Sequence, residues 1–217
     1  MLLRCVMVAF LAGGCSSSGP NHEALCEEGT ASSCFEAGLA LSKAGGAGER
    51  IAQLYQRGCE LDDPRSCFNL ATMFREGDQV PKDLSRARSL VERGCQELGG
   101  SESCAQLGTM QLRGQGGPQD VSAGEANLKK GCEGGTVQAC VNLGVMYGGD
   151  EHGDPKPGHA LQYFMKACLG DHAMSCYVAS GILDKGQAGP PNPDRAKEMA
   201  QKACDLGHED ACSGPMR

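Results

Sequence analysis

The sequence predicts an all-α solenoid built from helix–turn–helix repeats, and three observations lead to that fold class. Cysteines recur in close pairs at a regular period, apolar residues between the pairs follow helical spacing, and segments rich in glycine and proline separate the helices. Self-similarity at a fixed period of about 20 to 50 residues is the usual sign of a repeat architecture. A solenoid accounts for all three observations.

Twelve of the 14 cysteines form six close pairs. The members of a pair are eight residues apart, except in one pair where they are nine apart, and successive pairs advance by 33, 36, 37, 36 and 36 residues. We predict one disulfide within each pair: Cys26–Cys34, Cys59–Cys67, Cys95–Cys104, Cys132–Cys140, Cys168–Cys176 and Cys204–Cys212. Such bonds persist in oxidising compartments outside the cytoplasm.

The residues between two cysteine pairs show two helices. Each helix has a face of apolar or small residues at helical spacing, formed in one unit by Cys140, Leu143, Gly144 and Tyr147 and then by Ala160, Tyr163, Phe164 and Ala167. The run GGDEHGDPKPG between these faces predicts a turn. Each disulfide then joins the end of one unit's second helix to the start of the next unit's first helix, and closing such a loop contributes about 2 to 3 kcal/mol.

Two positions of the unit carry small residues, and a third is basic. Four residues after the first-helix cysteine stand Gly38, Ala71, Gly108, Gly144 and Ser180. Immediately before the second-helix cysteine stand Gly58, Gly94, Gly131, Ala167 and Ala203. Two residues before that cysteine stand Arg57, Arg93, Lys130, Lys166 and Lys202. We expect the small residues four places after the first-helix cysteine to allow close helix–helix approach, and the cations to interact with the negative end of the helix dipole.

The run ACVNLGVMYGGDEHGDPKPGHALQYFMKACLGD, residues 139–171, resembles a Sel-one-like repeat, a relative of the tetratricopeptide unit. The resemblance covers residues 21–213, and the paired cysteines are similar to those of the cysteine-rich secreted Hcp-type subfamily first described from Helicobacter. It implies a right-handed α/α superhelical solenoid of about five helix–turn–helix repeats with a concave groove.

Two functions follow from this architecture and this resemblance. The first is a non-catalytic scaffold or adaptor whose groove holds a protein or peptide segment. The alternative is a weak β-lactam-binding protein or β-lactamase-like hydrolase, because members of the Hcp-type subfamily have been described as penicillin-binding proteins with slow β-lactamase activity. No serine has a lysine three residues later and no G-x-S-x-G is present, so we predict no catalytic residue.

Charge and composition exclude several classes of partner. The formal charge of −7 argues against nucleic acid. The low aromatic content, 4% with no Trp, argues against a large cofactor pocket, so we predict no cofactor. The cysteines lack the close C-x-x-C pairing of zinc sites, and the acidic turn around Asp150, Glu151 and Asp154 lacks the alternating carboxylates of a calcium loop. We therefore predict no metal site.

Two further patterns have alternative interpretations. His172 and His208 both lie four residues after a second-helix cysteine, where they either share a metal or sense acid pH, or lie in exposed loops within the disulfide rings. Met73, Met110 and Met146 lie six residues after the first-helix cysteine, where they either face the groove or pack in the core.

The first residues predict export. Residues 1–14 combine Arg4, a short apolar stretch and small residues before Cys15, and they resemble the leader of a bacterial lipoprotein. We expect lipid attachment at Cys15, a flexible tether over residues 15–20, the solenoid over 21–213 and a tail over 214–217. The apolar stretch is shorter than the roughly 20 residues of a spanning helix. The membrane contact is then only the lipid on Cys15, in the periplasm or at the cell surface; without lipidation the protein is secreted.

Overall fold

The computed structural model describes residues 20–216, and all regular structure in that range is helical. The helices are α1 (His22–Glu27), α2 (Ala31–Lys43), α3 (Gly48–Glu60), α4 (Pro64–Glu76), α5 (Leu84–Gln96), α6 (Ser101–Leu112), α7 (Val121–Glu133), α8 (Val137–Gly148), α9 (Pro157–Leu169), α10 (Ala173–Asp184) and α11 (Pro193–Asp205), followed by a 3₁₀ helix (Glu209–Ser213).

Helices α2 to α11 form five consecutive hairpins, each made of a first and a second helix that pack against each other. Helix α1 precedes the first hairpin as a single short helix, and the 3₁₀ helix follows the last hairpin. The turn within the first hairpin spans residues 44–47, whereas the later ones span 77–83, 113–120, 149–156 and 185–192. The predicted all-α solenoid of five helix–turn–helix units is therefore confirmed.

Six disulfides lie at the junctions between units, with Cα–Cα distances of 4.6 to 4.8 Å. Each joins a cysteine of a second helix, or of α1, to a cysteine of the helix that follows. The cysteines of the first five bonds are buried, while Cys212 of the last bond is exposed. The first five junctions are thus both cross-linked and part of the core.

Each disulfide ring contains one residue with positive φ, which reverses the chain between two helices. Glycine occupies this position in four rings, as Gly29, Gly99, Gly135 and Gly207. Asp62 (φ 65°) and Asp171 (φ 61°) occupy it in the other two. These two aspartates bind basic residues of the following unit, since Arg93 lies 2.8 Å from Asp62 and Lys202 lies 3.0 Å from Asp171. The basic residue two places before the second-helix cysteine therefore also connects neighbouring units at these two junctions.

The small residues lie where helices touch. A Cβ added to Gly38 would come within 2.6 Å of the ring of Tyr55, and one added to Gly144 would come within 2.7 Å of the ring of Phe164. Both contacts lie between the two helices of one hairpin. A Cβ added to Gly58 would likewise overlap the side chain of Ser66 in the next unit. The glycines thus set the spacing within hairpins and between them.

The methionine pattern belongs mainly to the core. Met110 is fully buried and Met73 is 8% exposed, and both pack with Leu107 in one apolar cluster. Met146 is half-buried against the cluster around Leu143. The packing interpretation therefore holds for Met73 and Met110.

Candidate functional site: the inner face of the first helices

In the first four hairpins, the first helices of neighbouring hairpins lie closer to each other than the second helices do. Helix α2 contacts α4, α4 contacts α6 and α6 contacts α8, whereas α8 and α10, like the second helices of consecutive hairpins, scarcely touch each other. The first helices therefore form the inner layer of the solenoid. We call the surface of α2, α4, α6, α8 and α10 that carries the positions two and five residues after the first-helix cysteine the inner face.

Polar side chains connect neighbouring units across the middle of the inner face. Thr72 Oγ1 donates a hydrogen bond to Gln106 Oε1 at 3.2 Å. In the next unit Asn142 Nδ2 donates to Thr109 Oγ1 at 2.9 Å. In both bonds, the residue five places after the first-helix cysteine of one unit is joined to the residue two places after the first-helix cysteine of the next unit. We call these two equivalent hydrogen bonds the rungs of the inner face. Gln138 Nε2 also donates to Asn142 Oδ1 at 3.0 Å.

A cavity of about 280 Å³, the central cavity, lies between α4, α6 and α8. The residues around it include Phe68, Arg75, Glu102, Ala105, Gln106, Thr109, Thr136, Gln138 and Asn142. Gln106 is 5% exposed, and its Nε2 has no hydrogen-bond partner among the residues of the described range. The central cavity is therefore lined by polar groups, one of which is a buried donor that the described chain does not satisfy.

The last two hairpins present an apolar inner face instead. Val145 and Val178 occupy the positions that Thr109 and Asn142 occupy one unit earlier. A cavity of about 710 Å³, the C-terminal cavity, lies beside them between α8, α9 and α10. Val145 is 61% exposed at the edge of this cavity.

The segment after the 3₁₀ helix closes one side of the C-terminal cavity. The backbone N–H of Met216 donates to Ser180 Oγ at 3.2 Å, and Met216 contacts α10 where Gly181 leaves room for it. Met216 itself lines the cavity. The wall therefore depends on the small residues at the fourth and fifth positions after Cys176.

A polar cluster connects α7 with α8 where the polar and apolar parts of the solenoid meet. Tyr147 Oη donates to Glu125 Oε1 at 2.6 Å, and Lys129 Nζ lies 2.5 Å from the same oxygen. The hydrogen bonds from Lys129 and Tyr147 lower the pKa of Glu125, and burial raises the pKa of Tyr147. The cluster joins α7 to α8 through hydrogen bonds among the side chains of Glu125, Lys129 and Tyr147.

The structure gives the two histidines separate local roles. His172 caps α10, because its Nδ1 accepts the Ser175 N–H at 3.2 Å. His208 packs against Tyr177, with ring centroids 4.6 Å apart and ring planes inclined by 37°. Between residues 20 and 216 no three His, Cys, Asp or Glu side chains are grouped so that they would hold a metal ion. The acidic residues Asp150, Glu151 and Asp154 are exposed in the turn before α9.

The predicted leader and Cys15 lie outside the described residues. Within the described range, no helix is both long and apolar enough to span a bilayer. The disulfides at the repeat junctions are consistent with an exported protein.

The rungs of the inner face were not predicted from the sequence. A signal for them exists, because an amide side chain recurs two residues after the first-helix cysteine in three units, as Asn69, Gln106 and Asn142. Helical spacing alone does not show that this position faces inward. The contacts between first helices supply that information.

The family model of the Sel1 repeat matches residues 64–97, 101–136, 137–172 and 173–208, which together are more than half of the chain. The four matches correspond to the hairpins α4–α5, α6–α7, α8–α9 and α10–α11. The hairpin α2–α3 precedes them with the same disulfide arrangement. The sequence matches none of the curated proteins with which it was compared.

Solved structures show the same fold. A Sel1 repeat protein from Oxalobacter formigenes is 17% identical, with a TM-score of 0.73 over 88% of this chain and 79% of that one. The protein c5321, a protective antigen present in uropathogenic Escherichia coli strains, is 18% identical, with a TM-score of 0.63 over 88% of this chain and 49% of that one. A putative sel1 repeat protein from Klebsiella pneumoniae subsp. pneumoniae is 22% identical, with a TM-score of 0.59 over 88% of this chain and 94% of that one.

Proposed function

The chain belongs to the Sel1 repeat family, and on that premise we propose that it is a non-catalytic scaffold of the bacterial cell envelope that binds a segment of another protein along its inner face. The observation that carries the proposal is the open, apolar C-terminal cavity of about 710 Å³, with Val145 exposed at its edge. Concave, largely apolar surfaces with a few polar groups are the usual form of a binding site.

The cavities of the inner face adjoin one another, which favours an elongated ligand. A further cavity of about 400 Å³ lies between the two described above. It shares Thr109 and Asn142 with the central cavity, and Val145 and Gly149 with the C-terminal cavity. An extended segment of chain would reach both ends of this row, whereas a compact small molecule would fill one cavity.

We also propose that the protein is anchored in the membrane by lipid on Cys15, a residue that lies outside the described range. The small residues before Cys15 support this proposal, because they resemble the lipoprotein signal. Cys15→Ser should move the protein from the membrane fraction to the soluble extracytoplasmic fraction. Retention in the membrane fraction by C15S would contradict lipid anchoring and would leave the binding proposal unaffected.

Two matched variants test binding along the inner face. Val145 and Leu169 are both exposed apolar residues, at 61% and 79%, but Val145 lines the C-terminal cavity whereas Leu169 lies at the end of the second helix α9. We expect partners captured by chemical cross-linking from envelope extract to bind wild type and Leu169→Asp, and to be lost with Val145→Asp.

Two results would contradict the proposal. Equal capture by V145D and wild type would show that the partner binds elsewhere. Turnover of a chromogenic cephalosporin by the purified, oxidised protein would contradict its non-catalytic character.

A further inference from the structure

We propose that the last disulfide, Cys204–Cys212, is a thiol–disulfide exchange site for a dithiol reductant, and that its reduction releases the segment that walls the C-terminal cavity. This site lies outside the proposed function, because the chemistry of the bond is the same whatever the inner face binds. Two features distinguish the last junction from the five before it: its exposure to solvent and the small element that it holds.

The last disulfide is more exposed than the others. The cysteines of the first five bonds are buried, whereas Cys204 is half-buried and Cys212 is exposed. The Sγ of Cys176 is buried 3.7 Å from the carbonyl oxygen of Cys168, but the Sγ of Cys212 lies at the surface, 3.9 Å from the carbonyl oxygen of His208. Exchange requires a thiolate to reach a disulfide sulfur, so an exposed disulfide is the labile one.

The 3₁₀ helix that carries Cys212 has few other attachments. It is five residues long, contacts mainly α11, and buries only Ala211 of its own residues. His208, just before it, packs against Tyr177. A helix of one or two turns is not stable without tertiary contacts. The disulfide is therefore the main restraint on the segment that begins at Glu209.

The earlier junctions are held differently. Cys176, for example, lies in the 12-residue helix α10, which packs against both α9 and α11. Reduction of the Cys168–Cys176 bond would leave this helix held on two sides. Reduction of the last bond would leave the 3₁₀ helix with only its small contact to α11 and the packing of His208.

The segment held by the last disulfide ends at the C-terminal cavity. Met216 lines this cavity, and its backbone N–H donates to Ser180 Oγ at 3.2 Å. A Cβ added to Gly181 would come within 2.8 Å of Met216 Cβ, so the segment and α10 are in close contact. Only three residues separate Cys212 from Met216. The redox state of the cysteine pair therefore sets whether this wall of the cavity is in place.

The exchange proceeds in two balanced steps. A thiolate of the reductant attacks the exposed Cys212 Sγ, the Sγ–Sγ bond breaks, and its electron pair leaves on Cys204 as a thiolate. The second thiolate of the reductant then attacks the reductant sulfur of this mixed disulfide and releases Cys212 as a thiolate. The reductant ends as a disulfide, and the two protons of its thiols end on Cys204 and Cys212.

Partial reduction of the purified, oxidised protein tests the exchange site. The Cys168–Cys176 bond is the matched control, because its cysteines are also eight residues apart. Free thiols are first blocked with iodoacetamide, a limiting amount of dithiothreitol is added, and samples quenched over time with N-ethylmaleimide are mapped by mass spectrometry. We expect maleimide to appear on Cys204 and Cys212 about tenfold faster or more than on the control pair, because a buried bond is reached only after local opening.

Hydrogen exchange tests the release of the wall. In Cys204→Ser/Cys212→Ser, and in wild type after mild reduction and alkylation, the amide of Met216 should exchange about tenfold faster or more than in the oxidised protein, because its hydrogen bond to Ser180 is lost. Amides of α8 should keep their protection in both samples. Wild type reduced without any substitution keeps the test valid if the double variant folds poorly.

Two results would overturn the proposal. Reduction of Cys168–Cys176 as fast as Cys204–Cys212 would show that the last disulfide is not a preferred exchange site. Unchanged protection of Met216 after reduction would show that packing alone holds the wall. Neither result depends on whether V145D loses its captured partners, so the exchange site and the proposed function fail separately.

Discussion

The middle and the C-terminal end of the inner face use the same helix positions for opposite chemistry. Between α4, α6 and α8 these positions carry Thr and amide side chains that bond across units. Between α8 and α10 the equivalent positions carry Val145 and Val178 beside an apolar cavity of about 710 Å³. We call these two regions the polar middle and the apolar end.

The difference shows how a solenoid separates stability from recognition. Beneath both regions the third residue after the first-helix cysteine is fully buried, as Leu107 in α6, Leu143 in α8 and Ala179 in α10. Disulfides join the units under both regions as well. Because the backbone is held by these repeated elements, the inner-face positions are free to differ in chemistry from one unit to the next.

The largest expected effect comes from the buried leucines. Leu107→Ala and Leu143→Ala should each lower the free energy of unfolding by about 2 to 5 kcal/mol, because each leaves a cavity in a closely packed core. Urea unfolding followed by circular dichroism measures both. If one variant were nearly neutral, the two regions would not share the same kind of core.

The disulfides under the two regions form the next test. Cys95→Ala/Cys104→Ala and Cys168→Ala/Cys176→Ala should each cost about 2 to 3 kcal/mol, since the rings are nearly equal in length and both are buried. Unfolding in urea gives the values, and non-reducing peptide mapping of wild type checks the six pairings. Links between other cysteines would contradict the stapled junctions.

The smallest effect is expected where the two regions meet, at Glu125. Its pKa is lowered by Lys129 and Tyr147, so it contributes stability above the usual glutamate pKa of about 4.3 and loses it as the pH falls through the folded-state pKa. Both charged side chains are partly exposed, so Glu125→Gln should cost at most about 1 kcal/mol at neutral pH.

Urea unfolding at neutral and at acid pH tests the sign of this effect. The difference between E125Q and wild type should disappear in acid, where Glu125 is protonated in both the folded and unfolded states. A difference that is the same at both pH values would show that shape, and not charge, accounts for the effect of the substitution.

Much of the architecture was predictable because it repeats. The paired cysteines and the small residues such as Gly38 and Gly144 marked the junctions and the helix contacts, since their spacing is set by the period of the unit. The family matches and the helical hairpins confirm the predicted fold. The methionine position was ambiguous, because helical spacing does not distinguish the core from the groove; burial assigned Met73 and Met110 to the core.

The candidate site was predictable only as a groove. The amides at Asn69, Gln106 and Asn142 are visible in the sequence, but their recurrence does not show which of them lacks a partner. Gln106 stands out because Thr72 of the preceding unit satisfies one end of its side chain and nothing in the described range satisfies the other. Contacts between units therefore determine which of the recurring amides lacks a hydrogen-bond partner.

The repeat, its length and the positions of its small and cross-linked residues could be read from the amino-acid sequence, because those properties are local and recur in every unit. Tertiary structure decided which side chains meet across units: the pairing of Thr72 with Gln106, of Asp62 with Arg93, and of Met216 with Ser180. These contacts join residues 31 to 36 positions apart. They depend on how successive hairpins stack, which the spacing within one unit does not specify.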